Sequence, residues 1–164
     1  MKHEPTITTT AADLRQGGSG MTRDEIVAFF ERRQELYDDF DAAALAADYA
    51  DDAVIDSPLA GVHTGRAAAE QAYRAVFGAF LDRKMKTESL VIDGDRVARV
   101  VTMEGTNIGD LMGLPPTGKP FRFTAVFLYE LKDRRIVRER RIYDFTGLLV
   151  QLGVLRAKPA KPLG

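Results

Sequence analysis

A chain of 164 residues with 45% hydrophobic and 29% charged side chains and a formal net charge of −1 is sized for one globular domain. It has no overall positive field to hold a polyanion such as nucleic acid. The lack of cysteine excludes disulfides, thiolate nucleophiles, iron–sulfur clusters and thiolate zinc sites, so any chemistry must use oxygen, nitrogen or a bound cofactor.

Residues 1–20 are rich in Thr, Gly and Ser and end in Gly17-Gly18-Ser19-Gly20; they are expected to form a disordered tail, since they bury too little apolar surface to offset the entropy of ordering. Lys2 to Gly20 lacks the apolar stretch of a signal peptide, and no apolar run reaches the roughly 20 residues a bilayer requires. A cytoplasmic protein without membrane contact is therefore expected.

A folded domain is expected over 21–155. Thr22 and Glu25 have the Thr-x-x-Glu spacing that satisfies helix-start amides. Ile26, Phe29, Phe30, Leu36 and Tyr37 then recur at helical spacing to about Asp38. Asp41 is placed to cap a short helix from Ala42 to Tyr49. Ala53 to Asp56 reads as a brief strand stopped by Ser57-Pro58. After the turn from Gly61 to Gly65, Ala69, Ala72, Tyr73, Val76, Phe77 and Phe80 line one face of a helix ending near Asp82.

The rest reads as strands, Met85 to Ile92, Arg96 to Thr106, Phe121 to Leu131 and Ile136 to Phe145, with Asp93-Gly94 as a hairpin turn. Leu-Pro-Pro-Thr-Gly at 114–118 cannot continue a sheet interior, because proline has no amide to donate. The glycines at 105, 109 and 113 lack the Lys-Ser/Thr and following helix of a phosphate loop. Residues 156–164 are expected to be a flexible tail. Helices followed by a meander give an α+β fold.

Four stretches carry a family resemblance: Tyr49-Ala50-Asp51-Asp52-Ala53, Gly61-Val62-His63-Thr64-Gly65, Gly113-Leu114-Pro115-Pro116-Thr117-Gly118, and Tyr143-Asp144-Phe145 with Gly147-Leu148-Leu149 and Gln151-Leu152-Gly153. With them the chain resembles the SnoaL-like polyketide cyclase branch of the NTF2-like superfamily. The resemblance implies a cone-shaped barrel, a curved antiparallel sheet wrapped on N-terminal helices around a pocket for a small hydrophobic molecule. It also implies a homodimer that works without metal or organic cofactor, often by acid–base chemistry. Relatives place a carboxylate on the last strand, three residues before the Asp of the Asp-Phe pair; here that position is Arg141, which stays protonated and cannot take a proton. The ketosteroid-isomerase base falls on Ser57, with Asp56 beside it. Where relatives carry Asp-Gly-Lys-Ile, this chain has Asp133-Arg134-Arg135-Ile136, so Arg134 must accept a strained φ or the turn differs.

Alternation along the last strand sets Val137, Glu139, Arg141 and Tyr143 on one face and Arg138, Arg140 and Ile142 on the other. Phe123, Ala125, Phe127 and Tyr129 share a face that suits an apolar pocket wall or a plain core. The resemblance puts the Arg141 face on the pocket, and a guanidinium there needs an anion, for which Asp56, Glu104 and Glu139 are available. One reading makes Asp56 a base and Arg141 the stabiliser of an enolate or alkoxide; the other makes the pair structural. His63 is either a proton shuttle or a ring bonded to backbone in its turn. Asp144 reads as a helix cap. The scattered carboxylates and two histidines have no metal-ligand spacing. The basic run from Lys132 to Arg141 divides between two strand faces, so no nucleic-acid groove is expected. The functional expectation is a cofactor-independent isomerase, cyclase, lyase or hydrolase acting on a hydrophobic oxygenated molecule, with a non-catalytic ligand-binding or dimerisation module as the alternative.

Overall fold

The computed structural model describes residues 18–156. The expected tails lie outside the described residues, except for 18–20 and Arg156. Ser19 is buried, and its carbonyl accepts from the Arg134 amide at 2.8 Å.

Helix α1 (Arg23–Asp38) starts on the expected reciprocal cap: the Glu25 amide donates to the Thr22 hydroxyl at 3.2 Å and the Thr22 amide to the Glu25 carboxylate at 2.8 Å. It ends in a Schellman turn, with the Asp41 amide on the Leu36 carbonyl and the Phe40 amide on the Tyr37 carbonyl. The residue in the left-handed conformation there is Phe40, at φ 61°, where glycine is usual. Helix α2 (Ala42–Ala47) is capped by Asp41 and stops before Tyr49, which opens a longer strand than the sequence suggests, β1 (Tyr49–Ser57).

Strand β2 (Gly61–Thr64), read above as a turn, pairs antiparallel with β1. Three residues between glycines carry no alternation of their own. After α3 (Arg66–Ala79) come β3 (Lys84–Asp93), β4 (Arg96–Thr106), β5 (Pro120–Lys132) and β6 (Arg135–Ile142), then α4 (Phe145–Gln151). Strand β6 stops short of Phe145 because Asp144 turns to cap α4, accepting from the Gly147 amide at 2.8 Å.

The six strands form one curved, unclosed sheet in the order β2-β1-β6-β5-β4-β3. All junctions are antiparallel except β1 with β6, which is parallel. The alternation of β6 slips at Val137: Glu130 faces Arg138 while Leu131 faces Ile136, leaving Val137 as a bulge. Ile136 and Glu139 therefore both point inward, and from Glu139 onward the expected faces hold. The Asp133-Arg134 turn takes positive φ at both residues, 49° and 63°, the twist a tight hairpin favours. Arg134 is held there by bonds to Ser19, Gly20 and Glu25.

The sheet's inner face packs on α1, α2 and α3 around Ile26, Phe30, Leu45, Ile55, Val101 and Tyr129. A second cluster, Ala79, Phe80, Leu111, Phe121, Leu148 and Leu152, docks α4 and the β4–β5 connection. Buried Asn107 organises that connection, exchanging backbone bonds with Gly118 and Lys119 while its side chain bonds Gly109 and Thr117. Gly109 has a packing reason: a Cβ there would lie 2.2 Å from the Gly78 carbonyl oxygen.

Candidate active-site cavity

Between the sheet and the helices lies a cavity of about 80 Å³. Phe123, Phe127 and Met103 line it from the sheet, Tyr73 and Val76 from α3, and Leu111 and Met112 from the β4–β5 connection. This volume holds a few waters; a larger guest requires side chains to move, which unbranched Met103 and Met112 do most easily.

Arg33, Arg83, Arg99 and Arg141 all line this apolar space, and no Asp, Glu or His among the described residues does. Arg141 is fixed from behind by Glu139, two residues earlier on the same face, whose carboxylate is 0% exposed and accepts from Arg141 Nε at 2.5 Å. The other Glu139 oxygen accepts a hydrogen bond from the Tyr49 hydroxyl. Tyr49 meets Tyr73 at 3.0 Å, and Arg33 donates to Tyr73 at 3.0 Å and to Asp48 at 2.8 Å. The result is a continuous buried chain from Asp48 through Arg33 and the two tyrosines to Glu139 and Arg141.

Burial alone would raise the Glu139 pKa, but the Arg141 charge and the bonds from Arg141 and Tyr49 outweigh it and leave the group below the usual glutamate value. Burial likewise opposes the Arg141 charge, and Glu139 with the Tyr73 and Tyr49 oxygens holds it well above the ordinary arginine value. Arg99 is satisfied without a carboxylate, donating to Gln34 at 2.6 Å and to Thr87 at 2.9 Å.

Of the residues singled out from sequence, Arg141, Phe123, Phe127 and Tyr143 meet at the cavity. Glu139 stands directly behind Arg141. Burial raises the Tyr143 phenol, against the lowering effect of Ser57 and Arg141. Asp56 is a correction: it points to the outer face of the sheet, where its carboxylate lies 3.6 Å from Arg140 Nε. Ile55 and Ser57 are its inward neighbours, and Ser57 lines the cavity. Asp56 and Arg141 do not converge, because one step along a strand reverses the face. Glu104 is likewise on the outer face, paired with Arg122 at 3.0 Å. His63 sits opposite Ile55 in the register and does not line the cavity; its Nε2 is buried without a partner. Burial, then the Arg141 charge, lowers its pKa, so the ring is neutral at pH 7.

Sequence reasoning passed over Arg33, Arg99 and Arg83. The first two left a signal: Arg33 stands in phase with Ile26, Phe29, Phe30 and Tyr37, and Arg99 alternates in step with Val97 and Val101. A charge at an apolar phase is worth reading as a buried charge. Arg83, in a turn, has no periodic context.

Three comparisons bear on this site. The family model described as SnoaL-like polyketide cyclase matches residues 28–152. The nogalonic acid methyl ester cyclase of Streptomyces nogalater is 33% identical over 94 residues, 57% of this chain and 70% of that protein. Among solved structures, AclR from Streptomyces galilaeus matches with a TM-score of 0.72 and 25% identity, over 84% of this chain and 87% of its own. TsrD from Streptomyces laurentii has the same fold, with a TM-score of 0.73 and 22% identity over 82% of this chain and 99% of its own.

Proposed function

The chain belongs to the SnoaL-like polyketide cyclase family, and from that premise we propose a cofactor-independent enzyme that closes a ring in a hydrophobic, oxygenated small molecule by proton transfer at carbon. The observation that carries this reading is the cation-lined apolar cavity with Arg141 clamped by Glu139. A fixed guanidinium in a site of low dielectric stabilises negative charge on oxygen without reorganising. A carbon flanked by carbonyls loses its proton to water, and Arg141 holds the enolate. The enolate carbon attacks a second carbonyl, and the new alkoxide takes up a proton from the Tyr143 phenol, which recovers its own from solvent. All atoms are conserved, and the protein's contribution is chiefly electrostatic.

The test is turnover of nogalonic acid methyl ester, the substrate in the relative's name. Wild type is expected to convert it. The double variant Glu139→Gln/Arg141→Gln, which removes both charges together and leaves no unpaired ion, is expected to lose about 10²- to 10³-fold in rate. A double variant as fast as wild type sinks the assignment to Arg141.

The lack of a cavity-lining carboxylate or imidazole among the described residues favours a second reading, a ligand-binding module without catalysis. It predicts saturable binding of the same ester with no product and no acceleration of its acidic C–H exchange in deuterium oxide over the rate without protein.

A further inference from the structure

Five buried side-chain polar atoms among the described residues have no hydrogen-bond partner, and three of them lie together: Arg83 Nε, Arg83 Nη1 and the Tyr37 hydroxyl. Both residues line the cavity, Tyr37 from the end of α1 and Arg83 from the turn between α3 and β3. This is the helix-side wall, whereas Arg141 is on the sheet. Arg83 is 8% exposed and Tyr37 4%.

Among the cavity's arginines Arg83 stands apart. Arg33 meets Asp48, Tyr49 and Tyr73 and leaves only its Nε unpartnered, Arg141 meets Glu139, and Arg99 meets Gln34 and Thr87. Arg83 donates to one acceptor, the Tyr37 carbonyl, through Nη2; the Tyr37 phenol stands beside it outside hydrogen-bond geometry, and Asp38 acts on it only as a charge at a distance. Its guanidinium carbon is otherwise boxed by rings, 3.4 Å from the Phe40 centroid, 3.9 Å from Phe77 and 4.6 Å from Tyr37. Phe40 adopts its left-handed backbone, costly for a bulky residue, and its ring forms one side of that box. Aromatic faces hold the charge in place but accept no hydrogen bond of ordinary strength from Nε or Nη1.

We propose that Arg83 and Tyr37 form a carboxylate subsite, so that the ligand of this cavity is a hydrophobic acid. A carboxylate matches the free donors, because its two oxygens accept from separate positions of the guanidinium and from a hydroxyl at once. A phenolate or enolate presents one oxygen and leaves part of the set unmet. The apolar rings of Phe121, Phe123 and Phe127 would take the body of the acid. The subsite rests on reading the cavity as the ligand site, as above, and adds the charge of the ligand to that reading.

The test is calorimetric titration of the full chain with 2-naphthoate and with its uncharged amide, 2-naphthamide. Wild type is expected to bind the acid at least tenfold more tightly than the amide. Tyr37→Phe, which keeps Arg83 and its stacked rings, is expected to weaken the acid by roughly threefold to tenfold, the worth of one hydrogen bond, and to leave the amide unchanged. Arg83→Met is expected to abolish the preference; because it also unclasps the end of α1, the Tyr37→Phe result decides if that variant does not fold. In Glu139→Gln/Arg141→Gln the preference should persist. Equal affinity for acid and amide in wild type, a preference undiminished by Tyr37→Phe, or a preference lost with Arg141 would each overturn the subsite. Absent turnover of the ester with the acid preference intact would bring down the proposed function alone.

Discussion

Glu139 keeps its negative charge without contact with water because two donors, the Arg141 guanidinium and the Tyr49 hydroxyl, replace hydration. Removing one partner of such a pair typically costs about 3–5 kcal/mol, since the survivor is an uncompensated buried charge, so Glu139→Gln alone should destabilise more than the double variant with Arg141→Gln. Beside the cavity two groups with depressed pKa values, Glu139 and His63, make stability depend on pH; the exposed Glu25 and Asp82, lowered by their hydrogen bonds to Thr22 and Thr106, add to the acid limb. Glu139 lies below its unfolded value; the stability it adds is complete above about pH 4.3 and is lost as pH falls through the folded pKa. His63 is also depressed, so its contribution is complete above about pH 6.5 and disappears as pH falls toward its folded pKa. Urea midpoints should therefore be flat from neutrality to about pH 9 and fall in two stages on acidification, with His63→Phe flattening the upper stage and Glu139→Gln shrinking the lower; an unchanged curve in both variants contradicts this account. The inward aim of Arg141 was legible, because the family resemblance puts its face on the pocket and strand alternation holds from the Val137 bulge onward. Asp56 was misread since the aligned base position is Ser57, and the adjacent residue has the opposite face.

The helix starts were plain from sequence wherever a side chain closes a local ring of bonds: Thr22 with Glu25, Asp41 before α2, Asp144 before α4. Features that depend on distant chain were not. Strand β2 exists because β1 offers it an edge, and the left-handed Phe40 is matched to a guanidinium over forty residues later in the chain. The close approach of the β4–β5 connection to α3 belongs to this class. The amides of Ile108 and Gly109 both reach the Ala79 carbonyl at 3.1 Å, a contact that only a residue without a Cβ permits at 109. Gly109→Ala is expected to lower stability by about 1–3 kcal/mol, measured as a lower melting temperature. A variant melting with wild type would mean the connection stands off from α3 in solution.

At the scale of the molecule, the helices and sheet hold a positively charged interior in an otherwise nearly neutral chain. No helix among the described residues is long and apolar enough to cross a membrane. The parallel junction of β1 with β6 also sets an order of events. Strands β3 to β6 join neighbours in sequence and can zip locally, whereas β1 must return across nearly the whole domain to reach β6. Closing so long a loop is slow and entropically costly, so the junction is expected to form after the transition state. Ile55→Val should then speed unfolding and leave the refolding rate nearly unchanged, while Val101→Ala, in the meander, should slow refolding; stopped-flow kinetics reads both. Until β1 docks, Ser57 is absent from the cavity wall and Ile55 from the core, Tyr49 cannot reach Glu139, and Arg141 and Glu139 stand in water. The charged pair is thus dehydrated last, and a chain caught before that step would be a half-built sheet with an open edge, prone to pair with another copy of itself.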